Sequence, residues 1–210
     1  MGAGANAPTS GDTSSPARAR GRAGRPRRAG LDQAILDAAV AEMSRAGFAR
    51  MNMESVARRA GTTKTTVYAR FPSKAALATA ALEQMRLRTP REPPSGDVRQ
   101  DLIRELTLFR DGALRPYGMT MLGVVLAEEH ETPELLELFR RHVIAPRREN
   151  LRRILRAGRE TGQISERADL ELGITMMVGS LYSAYTAGRP PGRDWPRKVV
   201  DAWLQANADG

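Results

Sequence analysis

MNMESVARRAGTTKTTVYARFPSK, residues 51–74, holds two short helical patterns joined at a glycine. Met53, Val56, Ala57 and Ala60 recur at spacings of three and four, so they share one face of a first helix. Asn52 stands just ahead of that helix, a residue type that accepts well from the orphan N–H groups of a first turn. Gly61 follows Ala60, where a helix commonly ends on a residue at positive φ. Thr62 or Thr63 can then cap a second helix running to about Tyr68, and Pro72 keeps it short. Two helices joined by so tight a turn form a helix-turn-helix, whose second helix fits the DNA major groove.

The charge of the chain lies where this stretch lies. Residues 1–88 carry 15 Lys/Arg against 6 Asp/Glu, whereas residues 89–210 carry 18 of each. The whole formal excess of +9 therefore sits at one end. Basicity confined in this way predicts a polyanion-binding module joined to a neutral partner domain. At 210 residues there is room for two small domains. Cysteines are absent, and the two histidines, His130 and His142, stand far apart, so neither a metal site nor a cofactor is expected. No apolar run approaches the roughly 20 residues that span a bilayer, and the N-terminus has no apolar signal core. The expectation is a cytoplasmic protein without a membrane partner.

Outward from the motif, residues 1–30 are rich in Gly, Ala, Pro, Ser and Arg without apolar periodicity, and a disordered basic arm is expected over 1–28. Arg25, within Gly24-Arg25-Pro26-Arg27-Arg28, is placed to reach a minor groove or phosphates. Leu31, Ile35, Ala38, Ala39 and Met43 stripe a helix that stops at Gly47, with Phe48 leading into the motif. Ser73 can cap a fourth helix to about Leu87, which closes a domain at 29–88. Three prolines and a glycine in Thr89–Gly96 mark the connection.

From 97 to 207 the pattern is helical throughout, so the fold class is all-α. Val98, Leu102, Leu106 and Phe109 mark one helix, Met119 to about Glu129 another, and Pro133 to about Gly158 a long one bent at Pro146. Residues 168–187 have no charged face beyond the first turn, so both sides of that helix are expected to be covered. Its second face of mostly small residues, Gly173, Met176, Ser180, Ser183 and Ala187, is read as a dimer interface. Trp195, Val199 and Trp203 of the last helix are assigned to the same interface, where large aromatics carry much of the energy.

The ordered set Gly47-Phe48, Met53, Val56-Ala57, Ala60-Gly61, Thr66-Val67-Tyr68, Phe71-Pro72 and Ser73-Lys74 resembles the DNA-binding domain of TetR-family transcriptional regulators over residues 24–88. Beyond it the likeness is architectural only. The resemblance implies a small helix-turn-helix bundle followed by a larger helical domain that binds an effector and dimerises. It implies DNA contacts from Thr62, Thr63, Lys64, Thr65, Thr66 and Tyr68 on the recognition helix or its cap, and from Asn52, Arg70 and Lys74 around it. Hydroxyls suit phosphate oxygens, and a Thr methyl can touch a thymine methyl. Met51 departs from the family, which often has Thr there.

The resemblance also implies an effector pocket ahead of the dimer helices, for which Phe109, Tyr117, Met119, Met121, Phe139, Met177 and Tyr182 are candidates. The reading is a homodimeric repressor, released from an inverted-repeat operator in double-stranded DNA by an unknown small molecule. The rival is a sequence-independent architectural DNA binder without an effector, which a neutral second domain of this size disfavours. No nucleophile elbow, phosphate loop or dinucleotide fingerprint is present, so an enzyme is not expected.

Overall fold

The computed structural model describes Met1 and residues 25–87 and 93–207, and all regular structure among them is helical. The first helix, α1 (Arg25–Arg50), is interrupted at Gly47, whose φ of 80° lies in the left-handed region. Residues 25–28, expected in the disordered arm, belong to this helix; residues 2–24 lie outside the described residues, as does the Arg25 side chain. Then come α2 (Met53–Arg59), α3 (Lys64–Tyr68) and α4 (Lys74–Leu87). The larger part holds α5 (Val98–Leu114), α6 (Gly118–Ala127), α7 (Pro133–Phe139), a π-helical turn (Arg140–Ile144), α8 (Ala145–Glu160), α9 (Leu170–Thr186) and α10 (Trp195–Asn207).

Next to Pro146, where a bend is expected, the structure has that π-turn. Proline has no amide hydrogen to give to the preceding turn, so the ladder ahead of it loosens. The Ala145 amide donates five residues back, to the Arg140 carbonyl.

Two apolar cores organise the helices, and their border does not follow the chain connection at 89–96. The first gathers Ile35 and Met43 of α1, Val56 of α2, Val67 of α3 and Leu77 and Leu82 of α4. It also takes in Met121 and Val125 of α6 and Leu135 and Phe139 of α7. Each such buried side chain contributes about 1.5–3 kcal/mol. The helix-turn-helix unit is thus seated on α6 and α7 by the same force that holds it together. The second core lies among α5, α8, α9 and α10, with Leu106, Leu155, Ile174 and Leu181 fully buried. Helix α6 faces the first core and leads directly from α5, so it joins the two.

Candidate nucleic-acid interface

Local capping builds the recognition helix. Asn52 Oδ1 accepts from the Ser55 amide at 2.7 Å and starts α2. At its end the Thr62 amide donates to the Ala57 carbonyl at 2.9 Å and the Gly61 amide to Arg58 at 3.3 Å. Gly61, at φ 66°, closes this Schellman turn. Thr63 Oγ1 then accepts from the Thr66 amide at 3.2 Å and lies 2.8 Å from the Thr66 hydroxyl. Thr63 and Thr66 are therefore engaged in starting α3. Val67 points inward, fully buried, which turns Lys64, Thr65 and Tyr68 outward on one face. Thr62 is half-buried beside them.

Three further implied DNA contacts, around the recognition helix, also have partners within the protein. Arg70 Nε donates to Asp32 Oδ1 at 2.5 Å and its NH1 to the Thr66 carbonyl at 3.3 Å, which ties α3 to α1. Lys74 Nζ donates to the Ala49 carbonyl at 3.0 Å and stands 4.6 Å from the centre of the Phe48 ring. Asn52 uses its oxygen as a cap but remains exposed, with its amide nitrogen available to donate. Met51 is only 2% exposed and belongs to the core, so the hydroxyl the family often carries there has no counterpart here.

Two polar fastenings join the motif to its surroundings. Glu42 of α1 is 4% exposed and is reached by Arg45 and Arg59, each at 3.1 Å. The hydrogen bond from Arg45 holds its carboxyl below the usual carboxylate range; burial opposes this and Arg59 assists. A second fastening crosses 80 residues: the Phe48 amide donates to Glu128 Oε2 at 2.9 Å, at the C-terminal end of α6. Gly47 makes room for it, since a Cβ there would sit 1.7 Å from Glu128 Oε1. Nothing local in the sequence marks a contact so distant. Arg50 is exposed beside Asn52.

The effector candidates do not converge on one cavity. Phe109 packs edge-on to Tyr182 and Trp195, at 5.6 and 6.3 Å, with the Arg147 guanidinium 4.4 Å over its ring. Burial pushes the Tyr182 hydroxyl above its ordinary pKa, against the charge of Arg147. Met119 and Met177 lie in the same second core, while Met121 and Phe139 are in the first. Tyr117 alone of the set lines a cavity of about 310 Å³, together with residues of α1 and α4.

Interface candidates divide in the same way. Trp195 and Trp203, 9% and 7% exposed, are core residues of the chain itself. Trp195 Nε1 donates to Ser180 Oγ at 3.2 Å, and the Trp203 ring lies where a Cβ on Gly173 would stand. Met176, Ser183 and Ala187 are exposed, as is Leu172, and Val199 is half-buried. Leu172, Met176, Val199 and Ala202 line an apolar groove of about 320 Å³ between α9 and α10.

Among the described residues no cluster of three or more His, Asp or Glu side chains could hold a metal, and no helix is long and apolar enough to cross a membrane. Residues 35–81 match the family described as bacterial regulatory proteins, tetR family, and residues 92–203 the tetracyclin repressor-like C-terminal domain. An uncharacterized HTH-type transcriptional regulator of Mycobacterium tuberculosis is 29% identical over 74% of this chain and 76% of its own. The DNA-binding transcriptional repressor TetR of Mycobacteroides abscessus is 33% identical over 54% of this chain and 60% of its own. The crystal structure of a TetR family transcription regulator, SCO0332, superposes with a TM-score of 0.58 at 28% identity, covering 83% of this chain and 97% of that one.

Proposed function

Because this chain belongs to the tetR family of bacterial regulatory proteins, whose members bind DNA and regulate transcription, we propose that it is a homodimeric cytoplasmic repressor that a small effector releases from an inverted-repeat operator. The outward face of α3 carries this reading. Lys64, Thr65 and Tyr68 are exposed together on a helix whose orientation is pinned to α1 through Asp32 and, beyond the motif, to α6 through Glu128. Lys64 meets phosphate or a guanine edge, Tyr68 and Thr65 fix register, and Asn52 donates to the backbone at the foot of α2. With few side chains offering base-specific donors, operator shape carries part of the selectivity.

The exposed apolar groove of α9 and α10 supports a dimer, since a monomer would leave Leu172 and Met176, 54% and 58% exposed, in water. The repressor of Mycobacteroides abscessus supports the sign of regulation. Selection of bound DNA from a random library tests the proposal. An inverted repeat with half-site centres roughly 34–36 Å apart, or a multiple of that, is expected. Equal affinity for all sequences at physiological salt would point to the architectural rival and overturn it.

A further inference from the structure

We propose, resting on the reading of the chain as an effector-released repressor, that the cavity between α1, α4 and the α5–α6 turn is the effector site and takes a small aromatic amphipath. Its volume of about 310 Å³ lies in the range of small-molecule pockets. Val40 of α1 with Ala81 and Met85 of α4 give it an apolar floor. The polar lining is mixed in sign, with Asp37 and Gln84 on one side and Arg115 on the other. Asp37 accepts from Gln33 Nε2 at 3.1 Å, and Gln33 in turn accepts from Gln84, so these groups form one ordered network across α1 and α4. Such a lining suits a ring that rests on methionine and carries hydrogen-bonding groups along one edge.

The rim supplies a second, independent observation. Tyr117 is the one non-glycine residue at positive φ among the described residues, at 70°; it is 44% exposed and lines the cavity. A bulky residue held in this region costs about 1–3 kcal/mol, a strain that collects at ligand clamps and switches. Tyr117 stands at the N-terminal end of α6, and Glu128, which binds the Phe48 amide, caps the other end. The ten residues of α6 therefore join the cavity to the anchor of the DNA-binding unit over about 15 Å. An occupant that relaxes or turns Tyr117 moves the helix whose far end holds Phe48.

The absence of cysteine from the chain permits a test that needs no knowledge of the natural effector. A Cβ on Gly112, which lines the cavity, would meet nothing within 4 Å, so Gly112→Cys places a unique thiol there without crowding. N-phenylmaleimide then delivers an aromatic group to the cavity. DNA affinity is measured by anisotropy on the inverted repeat that the parent protein selects. Complete modification, checked by mass, is expected to weaken binding by about tenfold or more, a normal size for coupling between two sites. The unmodified variant is the reference for that loss, and the exposed control Gln100→Cys after the same treatment should bind as the parent does.

Adding Glu128→Ala to the labelled variant should remove most of that labelling effect, because the link to Phe48 is then gone. Unchanged affinity after complete labelling of Gly112→Cys overturns the proposed site; an undiminished effect in the Glu128→Ala background overturns the route through α6. If the parent itself selects no inverted repeat, the repressor reading has failed instead, and that result appears before any labelling is done.

Discussion

Gly47 and Gly61 share a backbone conformation, at φ 80° and 66°, but not their surroundings, and this separates two physical effects. At Gly61 a Cβ would meet open space, so Gly61→Ala carries only the left-handed strain, about 1–2 kcal/mol. At Gly47 the new methyl would occupy the place of the Glu128 carboxylate, so Gly47→Ala adds loss of the Phe48 hydrogen bond. Urea denaturation should show about 2–4 kcal/mol lost there. Glu128→Ala made in addition should cost less than the sum, since the clash no longer exists. Strict additivity would show that the two residues do not share their energy. Lys64 and Lys74 make a similar contrast. Lys64→Ala should weaken DNA binding across sequences and lower the salt slope by about one, while leaving the melting temperature alone. Lys74→Ala should lower the melting temperature, because its ammonium caps the end of α1 at Ala49. If Lys74→Ala left stability intact and reduced the salt slope instead, its side chain would be serving the DNA.

At the scale of elements, what sequence could reveal follows the range of the forces. Asn52, Thr63 and Ser73 each accept from an amide three residues on, so the helix starts of the motif were legible from residue type and spacing. Trp195 and Trp203 have the same helical spacing whether they face a second subunit or their own core, and periodicity could not choose. The Phe48–Glu128 contact has no local signature at all. Neither has the fastening of α9 to α8, where Glu171 receives Arg148 at 3.0 Å and Arg152 at 2.5 Å. Hydrogen bonds from Arg152 and then Arg148 lower the Glu171 carboxyl from 4.5 to about 2, against a small opposing burial. A depressed carboxylate stabilises the fold above its unfolded pKa and ceases to do so as pH falls through the folded one. The contribution of this pair should therefore be complete above about pH 4.5 and fade toward pH 2. Comparing melting temperatures of the parent and Glu171→Gln across that window checks this: the gap should be open at pH 6 and close on acidification. A gap independent of pH would mean that the side chain acts by packing rather than charge. The side chain is half exposed, so the effect is small and shrinks in salt.

The whole molecule poses a problem of reach: a five-residue recognition helix offers few base contacts, and the proposed dimer answers this by holding two such helices at a fixed separation. Two cores that meet at α6 leave the DNA-binding unit seated on the larger domain, while the α9–α10 groove remains open on that domain. An apolar surface of this kind is disfavoured in a free monomer and complementary to itself in a twofold arrangement. Met176 and Leu172 are its most exposed large side chains, and neither belongs to the second core. Charge placed there should thus divide the proposed dimer while leaving each chain folded. Sedimentation of Met176→Glu should report a monomer at concentrations where the parent sediments as a dimer, with the helical circular dichroism spectrum unchanged. On the inverted repeat, such a monomer loses the second recognition helix and the avidity it provides, so affinity should fall by about a hundredfold. On an isolated half-site it should match the parent, because Lys64, Thr65 and Tyr68 are untouched. A Met176→Glu protein that remained dimeric would place the interface elsewhere on the surface. Equal losses on whole and half sites would trace the defect to the recognition helix rather than to assembly.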